Sequence, residues 1–320
     1  MGLMGLLMNT SNAQAPADQG ETLSFESRNP RSYEQLIGGA DVPRVTLTGR
    51  LLMPTKSDAP LPAVILTPGS GGVGPHHIKH AHALMQAGLA VFVIDPFTGR
   101  GIKDTVTDQT SLSFAGSTYD ILAAAQKLAT LPVIDKQRIG AVGYSRGGTG
   151  VLLAAASQVH AAAAAGTPVL KAVYGGWPWC GYQFERAATT RTAIRLFMGE
   201  ADNYVSYVQC QGMIAGIRQS NTAVSWRMMK DGNHGFGYDM PLTERPEAIK
   251  ALHAPVVFLN DRGVVIDWLT SQPQAGVDDL ALLQRMRPWI SRGVTIGPKG
   301  NQVGEFTQDM VNFFTRELTP

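Results

Sequence analysis

A chain of 320 residues, 44% hydrophobic and 16% charged, can bury a full core as one large α/β domain or two small ones. Its formal net charge is +2 and it has no long basic or acidic run, which removes the usual signature of a nucleic-acid or anionic-membrane partner. No apolar run reaches the ~18 residues needed to span a bilayer.

Met1 to Met8 is apolar and glycine-rich, and Ala13-Gln14-Ala15 follows as an A-x-A cleavage signal before Pro16. This reads as the back half of a secretory signal peptide whose basic start is missing. The competing reading of residues 1–20 is a disordered tail. Export predicts a periplasmic or secreted protein. Cys180 and Cys210 are the only cysteines, and an even count in an exported chain predicts a disulfide between them.

Residues 21–320 read as the folded part. Val45 to Met53 alternates and predicts an antiparallel edge region. Ala63-Val64-Ile65-Leu66-Thr67 and Ala90-Val91-Phe92-Val93-Ile94 are continuous apolar runs, the pattern of strands buried on both faces of a parallel sheet. Helical stretches are expected at about His76 to Ala87 and Ser117 to Thr130. The alternation continues through Arg138 to Gly143, Lys171 to Tyr174, Ala193 to Gly199 and Ala223 to Met229. The fold class is therefore α/β, a doubly wound and mostly parallel sheet with helices on both faces. From about Met240 to Pro298 the signals are mixed, and this stretch reads as an insertion that packs beside the site or forms a surface extension. Glu305 to Phe314 predicts an amphipathic closing helix on Phe306, Met310, Val311, Phe313 and Phe314.

Gly143-Tyr144-Ser145-Arg146-Gly147 matches G-x-S-x-G, with an apolar strand before it and a small-residue helix after it. In that setting a strained turn exposes the serine at a helix N-terminus, where a side chain on either glycine would collide with backbone. A serine hydroxyl is a poor nucleophile at neutral pH. It needs a base in reach, and the base needs an acid to fix its tautomer. The expected chain order is serine, acid, histidine. Arg195 to Gly199 runs into Glu200-Ala201-Asp202-Asn203, which makes Asp202 the acid and Glu200 the fallback; Asp202 could instead cap the helix that follows. Ser225 to Met229 leads into Asn233-His234-Gly235-Phe236, which makes His234 the base. The other histidine beyond Asp202, His253, lies before Ala254-Pro255 in a poorer setting.

An oxyanion needs two backbone donors. Arg146 N–H follows the nucleophile. The second should come from Pro68-Gly69-Ser70-Gly71-Gly72, with Ser70 first and Gly71 second, because Pro68 has no N–H. Gly71, Tyr144, Trp177 and Trp179, with Tyr182 nearby, are the expected substrate-pocket residues; burial of the aromatic group as ordinary core is the competing reading. His76 and His80 have the i, i+4 spacing of a helical metal pair, and His77 and His82 lie close by. No carboxylate or cysteine joins them locally, so a solvated helix face is expected and no metal is assigned. Asp95 is expected to anchor the Phe97-Thr98-Gly99-Arg100-Gly101 turn, with Arg100 either in a structural ion pair or facing the cleft.

Taken as a set, the Thr67 to Gly72 loop, Asp95 to Gly101, Gly143 to Gly148, Gly199 to Asp202 and Asn233 to Phe236 resemble the dienelactone hydrolase family of the α/β-hydrolase superfamily. The resemblance spans roughly Val45 to Phe236 and resumes near Glu305. It implies an α/β-hydrolase fold, ester or lactone hydrolysis without a cofactor, a small-molecule ester as partner, and a triad of Ser145, Asp202 and His234. The chain departs from founding members in using serine where they use cysteine, which favours a general carboxylesterase. It also has Pro68-Gly69 where many relatives have His-Gly. A peptidase of related fold and a non-enzymatic binding protein on the same scaffold are the rival readings.

Overall fold

The structure is a computed structural model that describes residues 20–54, 59–221 and 223–319. The leader expectation therefore falls outside the described residues.

The chain opens with β1 (Glu21–Arg28), α1 (Tyr33–Ile37) and β2 (Arg44–Leu52). Next come β3 (Leu61–Thr67), α2 (Pro75–Gln86), β4 (Ala90–Asp95), α3 (Phe114–Ala129) and β5 (Ile134–Tyr144). After β5 follow α4 (Arg146–Ala154), α5 (Ser157–Ala161), β6 (Ala172–Gly176), β7 (Tyr182–Phe184), β8 (Ala193–Gly199), α6 (Tyr207–Ile217) and β9 (Val224–Met229). The central sheet has eight strands in the order β1-β2-β4-β3-β5-β6-β8-β9. β1 and β2 run antiparallel, and the six strands from β4 to β9 pair in parallel. This is the doubly wound α/β-hydrolase arrangement.

The apolar runs are explained by burial on both faces. In β3, Ala63 and Ile65 pack into the core on one side, while Val64 and Leu66 pack into the core on the other. Val45–Met53 lies in the antiparallel edge region as expected, but it is not the outermost strand. β2 lies inside the sheet, because β1 pairs along its whole length. β1 reads Glu-Thr-Leu-Ser-Phe-Glu-Ser-Arg, and only alternate side chains reach the core.

The direction of winding reverses between β3 and β5. Chain crossovers leave that point on opposite sides, so the loops after these two strands open a crevice at their carboxyl ends. Asp95 accepts N–H bonds from Phe97 and Thr98 and so shapes the turn after β4. Arg100 does not face the crevice. It makes a buried two-pronged ion pair with Asp120 of α3 at 2.8 Å.

Beyond β9 come β10 (Thr243–Lys250), β11 (Val257–Leu259), β12 (Val265–Ile266), β13 (Pro273–Gln274), α7 (Asp279–Arg285) and β14 (Ser291–Ile296). β10 pairs with β14, and β11 joins β12, β13 and β7 in a small four-stranded sheet. α8 (Gln302–Leu318) closes the chain. It buries Phe306, Met310, Phe313, Phe314 and Leu318 against the sheet, with Val311 half-buried. Cys180 and Cys210 form a disulfide with a Cα–Cα distance of 4.9 Å, which ties the turn after β6 to α6. No helix among the described residues is long and apolar enough to cross a membrane.

Candidate active site

Ser145 is the residue between β5 and α4, and its backbone is held at φ +52°, ψ −115°. A non-glycine residue adopts that conformation only when its surroundings enforce it, at a cost of about 1–3 kcal/mol. The flanking glycines permit it. A Cβ at Gly143 would sit 2.1 Å from the Gly147 carbonyl oxygen, and one at Gly147 would sit 2.4 Å from the Pro68 oxygen. The elbow thus packs directly against the loop that follows β3.

Three side chains from distant loops meet here. His234 Nε2 lies 2.9 Å from Ser145 Oγ, and His234 Nδ1 lies 2.8 Å from Asp202 Oδ2. Asp202 and His234 are buried, and Ser145 is half-buried. The geometry gives His234 the tautomer with its proton on Nδ1, leaving Nε2 to accept from the serine hydroxyl. Asp202 Oδ1 also accepts N–H bonds from Tyr204 (2.8 Å) and Val205 (3.0 Å), so the carboxylate shapes its own loop as well. Glu200 does not join the group; it is exposed and accepts the Asp231 N–H. His253 is exposed and lines neither hollow at Ser145.

The histidine loop is anchored from the late segment of the chain. Gly297 N–H donates to the His234 carbonyl at 2.8 Å, and His234 bridges Ile296. Two residues earlier, Thr295 N–H donates to Asn203 Oδ1 at 2.9 Å. The end of β14 therefore fastens both the loop that bears Asp202 and the loop that bears His234.

Ser145 and Ser70 stand where two hollows meet. One is a small hollow of about 100 Å³ walled by Phe114, Trp179, Tyr182, Tyr204, Leu282 and Met286. The other is an open groove of about 630 Å³ that reaches His234, His76, Tyr238, Asp104 and Glu247. Ser70 opens the turn after β3, where its carbonyl accepts the Thr105 N–H. Arg146 is the first residue of α4, so its N–H has no partner four residues back within the helix. Gly71 lines the open groove.

The Arg146 side chain folds under the small hollow. Its guanidinium donates to the carbonyls of Leu112 (2.7 Å) and Gln109 (2.6 Å), to Gln109 Oε1 (2.8 Å), and lies 4.1 Å from the Phe114 ring centre. Burial pulls its pKa down to about 10, which still leaves it charged at neutral pH. The Tyr204 ring lies 4.6 Å from the His234 ring, centre to centre, tilted by 57°, and burial pushes the Tyr204 hydroxyl up to about 12.

Tyr144 and Trp177 are not pocket residues. Both are fully buried behind the elbow, packed on each other and on Phe306 of α8. Their side chains point to the opposite face of the sheet from the small hollow, where Trp179 and Tyr182 do reach. The histidine helix is also corrected. His77 and His80 do not face solvent; they are 1% and 2% exposed. His80 Nδ1 and the Tyr144 hydroxyl share a hydrogen bond at 2.9 Å, and His77 Nδ1 accepts the Gly74 N–H at 2.9 Å. Burial lowers both pKa values, to about 3 for His80. Phe114, Tyr204, Leu282 and Met286 were not singled out from sequence. Their apolar character marks them as buried, but nothing local says they border Ser145.

The fold and the sequence have known counterparts. A dienelactone hydrolase-like promiscuous phosphotriesterase from metagenomic libraries superposes with a TM-score of 0.54 at 15% identity, covering 93% of this chain and 99% of that one. A dienelactone hydrolase, described as putative, from Klebsiella pneumoniae subsp. pneumoniae MGH 78578 gives 0.54 at 15% identity over 93% and 100%. At these identities the likeness is one of fold. No curated protein matches the chain significantly. The family model of the dienelactone hydrolase family matches residues 47–260, two thirds of the chain, and takes in the Ser145 elbow, Asp202 and His234. This chain belongs to the dienelactone hydrolase family.

Proposed function

We propose that this protein is a serine hydrolase that cleaves small or medium carboxylic esters or lactones through an acyl-enzyme. The observation that carries the reading is the continuous hydrogen-bonded chain from Ser145 Oγ through His234 to Asp202, at 2.9 and 2.8 Å. Family membership supports hydrolysis independently of that geometry.

Ser145 Oγ attacks the ester carbonyl while His234 Nε2 takes its proton. Asp202 stabilises the resulting imidazolium. The tetrahedral oxyanion is held by the backbone N–H groups of Arg146 and Ser70. Collapse breaks the bond to the alcohol oxygen, which leaves with the proton from His234. Water then attacks the acyl-serine, losing its proton to His234; collapse breaks the acyl–Oγ bond, Ser145 Oγ takes that proton back from His234, and the carboxylic acid is released. The strained backbone at Ser145 keeps its hydroxyl at the crevice and clear of the helix it precedes.

The disulfide supports a periplasmic or secreted location. Residues 21–320 are one hydrolase domain in this reading, with about 240–298 as an insertion whose Leu282 and Met286 wall the small hollow. The decisive test pairs a fluorophosphonate probe with 4-nitrophenyl acetate. The wild type should be labelled and active. S145A should lose labelling and at least about 10³-fold in kcat, with an unchanged circular dichroism spectrum. A labelled or near-normally active S145A removes the serine from the mechanism.

A further inference from the structure

The two hollows at Ser145 differ in size and chemistry, and the position of His234 assigns them. When the tetrahedral intermediate collapses, the imidazole must hand its proton to the leaving oxygen. The alcohol therefore leaves on the side of the imidazole. His234 borders the open groove and not the small hollow. The small hollow consequently takes the acyl group.

At about 100 Å³ the acyl side is narrow. A cavity of about 150 Å³ accommodates benzene. Phe114, Trp179, Leu282 and Met286 close it with apolar surface, so it suits an acyl chain of a few carbons. The groove on the alcohol side is about 630 Å³. Asp104, Thr107, Arg245 and Glu247 line it with acceptors and donors. Within it the His76 and Tyr238 rings pack on each other, with centroids 3.7 Å apart and planes 31° from parallel. Burial draws the His76 pKa down to about 4, so its ring is uncharged at neutral pH. The polar side chains along the groove offer acceptors and donors to an alcohol that carries hydroxyls; a plain alkyl chain would use none of them.

We infer that the substrate is a short-chain acyl ester of a hydroxyl-rich alcohol, of the acetylated-saccharide class, with the acyl group in the hollow beside Trp179 and the alcohol in the groove beside Glu247. This rests on the serine-hydrolase reading above.

The test uses the full chain and two ratios of kcat/KM. The first compares 4-nitrophenyl acetate with 4-nitrophenyl octanoate, and the expected preference for acetate is at least tenfold. M286A, which enlarges the hollow, should shrink that preference at least threefold. The second compares acetylated xylobiose with hexyl acetate, and the expected preference for the saccharide is at least tenfold. E247Q and D104N should each reduce it at least threefold. Equal rates on octanoate and acetate, or on hexyl acetate and the saccharide ester, overturn the inference. So does a saccharide preference that neither carboxylate variant moves. The two readings fail differently: a chain that is labelled by fluorophosphonate and active on 4-nitrophenyl acetate but lacks these preferences refutes only the substrate class. A chain that is neither labelled nor active refutes the hydrolase reading itself.

Discussion

Asp202 meets His234 with one carboxylate oxygen and holds its own loop with the other. Oδ2 accepts the imidazole Nδ1–H at 2.8 Å, and Oδ1 accepts the N–H groups of Tyr204 and Val205. The two roles can be separated. D202N keeps an oxygen for the loop but no longer fixes the imidazole tautomer, so kcat should fall by about 10³–10⁴ with little loss of stability. D202A should show a similar kinetic loss and a further ~1–2 kcal/mol of destabilisation, as for a lost cap. E200Q should stay near wild type, since Glu200 does not reach His234. Steady-state kinetics and urea melts on the three variants check all of this. A D202N enzyme with normal kcat would remove Asp202 from the triad.

The elbow should tolerate no side chain at Gly147. A Cβ there would lie 2.4 Å from the Pro68 oxygen, so the elbow and the Ser70 loop must move apart. Displacing a reacting group by about 1 Å can cost 10²-fold in rate. G147A is expected to lose at least that much in kcat, accompanied by a lower melting temperature. A G147A enzyme with wild-type rate and stability would show that the elbow and the Ser70 loop separate freely.

The buried histidines should make the protein acid-sensitive. Burial, followed by the neighbouring histidines, depresses His77, and burial and then His76 depress His80 to about 3. In the unfolded chain a histidine titrates near 6.5. Below that pH the unfolded state binds protons that the folded state refuses. Stability from these groups is therefore complete above about pH 6.5 and declines as pH falls toward 3, by at most about 1.4 kcal/mol per pH unit per histidine. Urea melts between pH 4 and 8 should show this slope, and H80N should flatten it. A wild-type stability that is level across the window would contradict neutral burial.

The disulfide closes a loop of 30 positions between the Trp177–Cys180 turn and α6. Chain entropy assigns such a loop about 3.6 kcal/mol. C180S/C210S, or wild type under reductant, should lose about that much stability in urea melts. Free-thiol titration of the unfolded wild type should rise from zero to two on reduction. Two thiols before reduction would show that the bridge does not form.

Much of the frame was legible in the chain. Continuous apolar runs at Ala63–Thr67 and Ala90–Ile94 predict strands buried on both faces, and both lie in the parallel sheet. The G-x-S-x-G elbow is local chemistry: its glycines are needed at fixed positions, so spacing alone identifies it. β1 was missed because its alternating polar residues carry half the signal of a buried strand, and its pairing with β2 is non-local. Tyr144 and Trp177 flank the strand ends that bear the site, which is why the sequence points them to the pocket. Which face each occupies depends on α8, more than a hundred residues later, whose Phe306 packs against both. His77 and His80 sit on a helix rich in polar residues, and their burial is set by Tyr144, Tyr238 and Phe306 from elsewhere in the chain.

By itself the sequence carried the sheet-and-helix alternation, the G-x-S-x-G elbow and the expectation of an acid and then a histidine after the serine, because each depends on near neighbours or on chain direction. Only the tertiary structure decided that two hollows meet at Ser145, which aromatic rings wall the smaller one, and that the end of β14 fastens the loops of Asp202 and His234 together. Those relations join residues far apart in the chain. Packing across the sheet fixes them, and no local pattern of residues encodes such packing.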